Sequence, residues 1–239
     1  MQTKPHRLTV RKSEERGRAN HGWLDARHSF SFADYYDPDH MGFRSLRVIN
    51  QDLIAPGAGF PAHPHRDMEI FTYVLEGALQ HRDSMGNGRV LRPGQIQLMS
   101  AGSGITHSEF NPLADQRLHL LQIWIHPHTL GLEPSYTEWQ PAAEAENLPK
   151  VLIISPDGAD GSALIRQDAR VYRLKLGAGE SSTHDPREGR GLWLQVIAGT
   201  IRVDSETVAG PGDAVSTEDA ATLTLAAETP AEALLFDLA

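Results

Sequence analysis

Short runs in which apolar and polar residues alternate, or in which β-branched residues cluster, recur along most of the chain. Few stretches have the spacing of a helix. In the first part of the chain the runs that predict strands are Phe43–Ile54, Ile70–Leu75, Ala78–Asp83, Arg89–Leu91, Gln95–Met99 and Arg117–His126. In the last part they are Val151–Ile154, Ala163–Ile165, Val171–Leu176, Leu192–Ile197, Thr200–Val203, Thr222–Leu225 and Ala233–Leu238. The pattern predicts an all-β protein.

One segment interrupts these runs. Residues 131–149 contain Pro134, Pro141 and Pro149 among scattered polar residues, which is typical of a linker. A short helix is predicted within it, around residues 142–147. The sequence therefore predicts an N-terminal domain over residues 1–130, a linker over 131–149 and a C-terminal domain over 150–239.

The second half resembles a diverged copy of the first. The segment Val74-Leu-Glu-Gly-Ala-Leu79 aligns with Val196-Ile-Ala-Gly-Thr-Ile201, and a Pro-Gly pair follows the shared glycine in both halves. Two all-β halves with the same order of turns predict a duplicated β-barrel or sandwich.

Composition narrows the classes of function. The chain has 239 residues, a formal net charge of −9 and no cysteine. The acidic balance disfavours a nucleic-acid binder, and the lack of cysteine excludes disulfides, thiolate metal sites and a cysteine nucleophile. No apolar run is long enough for a membrane helix, and the N-terminus lacks the apolar core of a secretory signal. A cytoplasmic protein without a membrane or nucleic-acid partner is the expectation.

Histidines are concentrated in the first half, where eleven of the twelve lie within residues 1–128. His63 and His65 are two residues apart, and so are His107 and Glu109. Positions i and i+2 of a strand share a face, so two neighbouring strands would direct three imidazoles and one carboxylate to one point. This donor set suits Fe, Mn, Co, Ni, Cu or Zn and leaves positions for water, O2 or substrate.

These residues resemble two motifs of the cupin superfamily, Gly57-x5-His63-x-His65-x3-Glu69 and Gly104-x2-His107-x3-Asn111. The resemblance to the pirin family within it is denser. It is carried by residues 20–43 (NHGWLDARHSFSFADYYDPDHMGF), 46–50 (LRVIN), 63–70 (HPHRDMEI) and 117–124 (RLHLLQIW). The chain looks closest to the bacterial pirins described as quercetin 2,3-dioxygenases.

The resemblance implies a bicupin, with two antiparallel, jelly-roll-like β-barrel domains, of which only the N-terminal one binds metal, usually iron as Fe(II). The implied ligands are His63, His65, His107 and Glu109, whereas Glu69 is implied not to be one. In a purified sample Zn, Ni, Mn, Co or Cu could replace iron. Counting from the aligned glycines, Asp185 and Arg187 fall at the positions of the first two histidines. Leu225 and Ala227 fall at the positions of His107 and Glu109.

The first hypothesis for function is a metal-dependent dioxygenase of the quercetin 2,3-dioxygenase type. It would use O2 to open the ring of a flavonol with release of carbon monoxide, and Glu109 would be the catalytic base. The alternative is an iron- and redox-dependent regulatory protein that binds a transcription factor or a metabolic enzyme. Metal storage without chemistry ranks last, because an open single-metal site suits it poorly.

Other aromatic and imidazole side chains are assigned structural roles. Packing is favoured over a role in a substrate pocket for Trp23, Phe30, Phe32, Tyr35 and Tyr36. An ordinary core or surface role is favoured for His21, His28, His40 and His119. His119 alternates with apolar positions, so a hydrogen bond to a metal ligand is its alternative role.

Overall fold

The structure, a computed structural model, describes residues 7–218 and 221–239. Almost all of its regular structure is β strand, which confirms the predicted all-β class. The first eleven strands are β1 (Thr9–Arg11), β2 (Gly17–Asn20), β3 (Leu24–His28), β4 (Leu46–Ile54), β5 (Gly59–His65), β6 (Glu69–Glu76), β7 (Leu79–Asp83), β8 (Gly88–Leu91), β9 (Ile96–Ser100), β10 (Ile105–Phe110) and β11 (Leu118–Ile125).

The remaining strands are β12 (Ser135–Trp139), β13 (Lys150–Ser155), β14 (Ala163–Leu164), β15 (Ala169–Leu176), β16 (Ser181–His184), β17 (Gly191–Ala198), β18 (Ile201–Val203), β19 (Thr207–Ala209), β20 (Ala214–Thr217), β21 (Leu223–Ala227) and β22 (Ala231–Leu238). Single turns of 3-10 helix occur at Ser13–Glu15, Ala143–Ala145 and Ala159–Gly161. The second of these turns lies where a short helix was predicted.

Contacts divide the chain into two compact units. The N-terminal unit comprises Arg16–Pro141 and Ala163–Gln167, and the C-terminal unit comprises the segment up to Glu15 together with Ala142–Ser162 and Asp168–Ala239. The N-terminal unit begins and ends at different residues from the predicted first domain, 1–130. β1 pairs with β20 and therefore belongs to the C-terminal unit. β12, which lies in the predicted linker, pairs with β9 and belongs to the N-terminal unit.

The N-terminal unit contains one large and one small antiparallel sheet. The strand order is β12-β9-β6-β11-β4-β3-β2 in the large sheet and β5-β10-β7-β8 in the small one. The central strands β6 and β11 are apolar along most of their length, and side chains such as Phe71, Val74 and Ile123 are fully buried. Burial of these side chains is the main stabilising contribution to the unit.

The C-terminal unit repeats this arrangement. Its large sheet contains β1-β20-β17-β22-β15-β13 in that order, and its small sheet contains β16-β21-β18-β19. The eight strands from β4 to β11 thus correspond in sequence order to those from β15 to β22. The two matching units agree with the duplication inferred from the sequence and with a bicupin fold.

A buried ionic group joins three elements of the C-terminal unit. Asp237 Oδ2 lies 2.9 Å from His184 Nε2, and Arg190 Nε donates to Asp237 Oδ1 at 2.5 Å. Burial acts to raise the pKa of Asp237, but the hydrogen bonds from His184 and Arg190 outweigh it and leave the pKa below its usual value. Because the folded-state pKa is lowered, the stabilisation is present above the unfolded-state pKa, about 3.8. It is lost as the pH falls through the folded-state pKa.

We therefore expect Asp237→Asn to lower the free energy of unfolding by about 3 kcal/mol at pH 7. The difference from the unmodified chain should shrink as the pH is lowered from 5 to 2. Urea unfolding followed by far-ultraviolet circular dichroism at several pH values measures this. Asp168→Asn is the matched control, since the exposed Asp168 carboxylate also pairs with Arg190. An equal pH dependence for Asp237→Asn and the unmodified chain would contradict the assignment.

Candidate metal centre

The pairing of β5 with β10 creates the centre. In this antiparallel ladder His63 lies opposite His107, and His65 lies opposite Ile105. Alternation along β5 places His63 and His65 on the same face of the strand. His107 is fully buried, whereas His63 and His65 are partly exposed. The small sheet therefore gathers three imidazoles that are separated by up to 44 positions in the sequence.

The three rings direct the same nitrogen to one point. The Nε2 atom of His107 lies 3.0 Å from that of His65 and 3.0 Å from that of His63. Ligands at right angles around a metal, each about 2.1 Å from it, are about 3.0 Å apart. The spacing of these nitrogens therefore fits three adjacent positions around one transition-metal ion.

Protonation favours the same arrangement. His63 Nδ1 donates a hydrogen bond to the carbonyl oxygen of Pro61 at 2.7 Å, which leaves Nε2 with its lone pair free in the neutral ring. Burial and the neighbouring imidazoles lower the pKa of His65 to about 4 and that of His107 to about 2. A neutral imidazole can direct the lone pair of its Nε2 atom at a bound cation.

Glu109 lies beside the centre on β10. Its carboxylate oxygens accept hydrogen bonds from the side-chain amides of Gln97, at 2.8 Å, and Gln122, at 3.0 Å, and one oxygen lies 3.1 Å from the Thr72 hydroxyl. Burial raises the pKa of Glu109 to about 7, in spite of the hydrogen bonds from Thr72 and Gln122. All of these hydrogen-bond partners are neutral side chains, so none of them offsets the effect of burial on the pKa of Glu109 with a positive charge.

The predicted site residues are not all in one cluster. Donor atoms of His63, His65 and His107 lie within 4.8 Å of one another. Glu109 instead forms a second such group with His107 and His81. Among the described residues these are the groups of three or more potential ligands that meet this distance. His107 belongs to both groups and links the carboxylate to the three histidines.

Two other candidates lie elsewhere. Glu69 accepts hydrogen bonds from the Ser100 hydroxyl, at 2.7 Å, and from the Arg166 backbone, at 3.2 Å, so its carboxylate belongs to a different polar cluster. The side chain of His119 lies 2.9 Å from the Gln51 amide nitrogen and is in neither ligand group. The core role predicted for His119 agrees with this position.

Several residues of the centre are not marked by any motif in the sequence. His81 stacks on Tyr136 with ring centroids 5.0 Å apart, and its ring centroid lies 5.3 Å from that of His107. Asp52, on β4, is buried, and burial together with the charge of Glu109 raises its pKa to about 7. The only sequence signal for His81 was the excess of histidines in the first half. Asp52 had no local signal.

A cavity of about 380 Å³ opens next to the histidines within the N-terminal unit. It is lined by Leu24, Ala26, His28, Phe32, Asn50, Asp52, Phe60, Pro61, His63, His65, Glu109, Gln122 and Trp124. Trp124 and Phe60 contact the histidines edge-on, with the Trp124 ring centroid 4.9 Å from that of His65. The cavity thus combines an apolar, partly aromatic wall with the polar groups at the metal centre.

The aromatic residues near the N-terminus have several roles. Phe32 lines the cavity, and Trp23 and Tyr35 line an adjoining pocket. Phe30 is buried, whereas Tyr36 is exposed. The sequence favoured a packing role for all five residues. That role fits the buried Phe30, whereas Phe32 also lines the cavity. It is wrong for Tyr36, which is exposed.

A close approach of two backbones shapes the end of β10. A Cβ atom at Gly59 would lie 2.2 Å from the carbonyl oxygen of Glu109, so only glycine fits there. The ladder between β5 and β10 shifts register between His107 and Glu109. Such irregularities redirect side chains near functional sites. On β5, His63 lies opposite His107 and Phe60 lies opposite Glu109, so the two partner positions are three residues apart instead of two.

In the C-terminal unit the strand register corrects the count made from the aligned glycines. In the N-terminal unit His107 pairs with His63, and Glu109 pairs with His81. At the same places in the C-terminal unit Leu223 pairs with His184, and Leu225 pairs with Val203. The residues equivalent to His63, His107 and Glu109 are therefore His184, Leu223 and Leu225. The count from the glycines gave Leu225 and Ala227, which lie two residues too far along β21. It followed the chain and did not use the pairing of strands across the sheet. Leucine offers no ligand atom at either position.

Comparison with known families identifies both units. The model of the Pirin family matches residues 9–125. The model described as the quercetinase C-terminal cupin domain matches residues 152–238. Together they cover most of the chain. Within the described residues, no helix has the length and apolar character required to cross a membrane.

Several known proteins are similar over almost their whole length. A protein of Escherichia coli strain K12 named quercetin 2,3-dioxygenase is 48% identical over 97% of this chain and 98% of its own. A pirin-like protein of Caulobacter vibrioides is 44% identical over 93% of this chain and 96% of its own. The crystal structure of the bacterial pirin YhhW of Escherichia coli in complex with nickel(II) superimposes with a TM-score of 0.92 at 47% identity, covering 97% of this chain and 99% of that one.

Proposed function

The chain belongs to the pirin family of bicupins, and from this premise we propose that it is a metal-dependent dioxygenase of the quercetin 2,3-dioxygenase type. The reaction consumes a flavonol and O2, opens the oxygen-containing ring and releases carbon monoxide. The observation that carries the proposal is the convergence of three histidine Nε2 atoms at an apolar cavity that also contains a buried glutamate. Relatives named quercetin 2,3-dioxygenase support it.

We propose that His63, His65 and His107 hold one divalent transition metal, with Glu109 as the fourth ligand. Fe(II) is the proposed physiological ion, and the nickel(II) complex of the similar pirin supports a site for a divalent metal. The ion would supply Lewis acidity toward the substrate oxygens and the redox chemistry with O2. The described donors are nitrogen and oxygen atoms, which suit such an ion.

Glu109 has the properties of a general base. A base is most effective when its pKa lies near the working pH, and burial raises the pKa of Glu109 to about 7 before a metal ion binds. Glu109 would accept the proton once its carboxylate has left the metal ion. The carboxylate would take the proton of the flavonol 3-hydroxyl. The amides of Gln97 and Gln122 hold the carboxylate in place before and after the transfer. Glu109 thus combines the role of ligand with that of proton acceptor.

The cavity wall would orient the substrate and exclude water. Phe60 and Trp124 present aromatic surface beside the histidines, and Leu24 and Ala26 add apolar surface. A flat, mostly apolar ring system can bury its faces against these side chains, while its oxygens turn toward the polar end. Such orientation is required for O2 to react at one ring.

The decisive experiment measures carbon monoxide. The purified protein is loaded anaerobically with Fe(II), and a second sample is loaded with Ni(II) for comparison. Each sample is then mixed with quercetin and O2. We expect carbon monoxide in proportion to the quercetin consumed, and no release above background from the His63→Ala/His107→Ala variant. His119→Ala is the control, because this histidine lies on β11 outside both ligand groups.

No carbon monoxide from a sample shown to contain one metal per chain would contradict the proposal. In that case the alternative from the sequence, a regulatory protein whose partner binding depends on the redox state of iron, becomes the hypothesis to test by capture of partners.

A further inference from the structure

One buried carboxyl group in the cavity has no part in the proposed reaction. Asp52 lies on β4, and its side chain lines the same cavity as His63, His65 and Glu109. The residue is only 4% exposed. It is in neither group of potential metal ligands.

The hydrogen bonding of Asp52 is incomplete. Its Oδ1 atom is buried and has no hydrogen-bond partner among the described residues. A buried carboxylate without partners is destabilising, because it loses its hydration and gains nothing in return. Most buried polar groups in native proteins are satisfied, so a carboxyl group with an unpartnered oxygen on a residue that lines a cavity indicates a partner that arrives with a ligand.

The neighbouring polar groups do not supply that partner. On the same wall, His28 Nδ1 lies 2.8 Å from Asn50 Oδ1, and these two side chains are bonded to each other. Strand pairing places Asn50 opposite His28 and places Asp52 opposite Ala26, which has no polar side chain. Asp52 is therefore a hydrogen-bond acceptor surrounded on this strand pair by apolar or already bonded groups.

We propose that Asp52 binds a hydroxyl group of the substrate other than the 3-hydroxyl, and so selects polyhydroxylated aromatic compounds. The inference rests on the proposed function, since it concerns the ligand of the same cavity. A carboxylate accepts hydrogen bonds and an aromatic hydroxyl donates one, so the two are complementary. Ring systems that lack this additional hydroxyl leave Asp52 unpaired and bind less tightly.

The test measures binding, not turnover. Protein loaded with Ni(II) is titrated anaerobically with quercetin and with 3-hydroxyflavone, which retains the 3-hydroxyl but lacks the other ring hydroxyls. Quenching of tryptophan fluorescence reports the dissociation constants. We expect the unmodified chain to bind quercetin about ten- to a hundredfold more tightly than 3-hydroxyflavone, and Asp52→Leu to lose most of this preference.

A second measurement separates a ligand-binding role from a structural one. Leucine has the same number and branching of side-chain heavy atoms as aspartate, and it removes an unpaired buried carboxyl next to a cavity that can take up its larger methyl groups. Asp52→Leu should therefore melt at the same or a higher temperature than the unmodified chain in the absence of substrate. A structural carboxyl would give the opposite result. Gln51→Leu is the control for disturbance of β4, because this neighbouring side chain bonds to Arg16 and His119 outside the cavity.

The outcomes distinguish the two proposals. Selective binding of quercetin that depends on Asp52, without carbon monoxide release, would support the inference and reject the dioxygenase. Carbon monoxide release with an unchanged preference in Asp52→Leu would reject the inference and leave the dioxygenase standing. Lack of binding of either flavonol, or a lower melting temperature with the preference retained, would also overturn the role of Asp52.

Discussion

Replacement of His107 by alanine is expected to abolish the metal centre and, with it, turnover. His107 is the buried histidine whose Nε2 atom lies 3.0 Å from both other rings, and it also joins Glu109 to the site. Changes next to metal ligands commonly weaken binding by about 10- to 100-fold, so loss of this ligand should exceed about a hundredfold. Metal content after dialysis, measured by mass spectrometry, and carbon monoxide release should fall together.

The comparison with His119→Ala makes this result specific. His119 is also a partly buried histidine of the N-terminal unit, but its side chain lies against Gln51. The His119→Ala variant should retain one metal per chain and its activity. Circular dichroism checks that both variants keep their β structure. Full metal occupancy in His107→Ala would show that the three converging nitrogens are not the binding site.

Replacement of Glu109 by glutamine is expected to lower turnover by about 10²- to 10⁴-fold while metal remains bound to the three histidines. Glutamine keeps the shape of the side chain but cannot accept the substrate proton. Its amide group would also face the donating amide of Gln97 or Gln122, each of which now bonds to a carboxylate oxygen. The rate of carbon monoxide release and the metal content, measured on the same samples, test the assignment.

Glu69→Gln is the matched control for this variant. Glu69 is a second buried glutamate of the same unit, on β6, and it bonds to Ser100 and to the Arg166 backbone. Its carboxylate does not line the cavity. Normal turnover in Glu69→Gln with loss in Glu109→Gln is the expected result. Equal turnover in both variants would exclude Glu109 as the base.

The fold was largely predictable because most of its strands are marked by burial. β6, β11, β17 and β22 are apolar along most of their length, and such runs predict buried strands whatever lies around them. β12 was missed because only Trp139 of its five residues is buried. It is held mainly by its ladder with β9, a partner that no local pattern reveals.

The residues of the metal centre likewise include some that a local sequence pattern marks and others that it does not. His63, His65 and His107 could be found because their spacing and a family resemblance point to one face of two strands. Their neighbours could not, since Thr72, Gln97 and Gln122 come from three different strands and are ordinary polar residues in the sequence. Asp52 becomes noticeable only when its burial and its missing partner are known. The metal-ligating residues could be predicted from local sequence spacing. The residues that contact them and change their pKa values are brought together only by the tertiary structure.

The pairing of β1 with β20 has a consequence for the order of folding during synthesis. Thr9, Val10 and Arg11 pair with residues 214–216, and the nearby Lys12 Nζ lies 2.9 Å from Asp213. β1 therefore has no partner until β20, about two hundred residues later in the chain, has been synthesised. Contacts so distant in sequence form slowly, so the C-terminal unit gains its edge strand only after β20 has been synthesised. Deletion of residues 7–12 should consequently uncover the edge of β20, about two hundred residues away from the deletion.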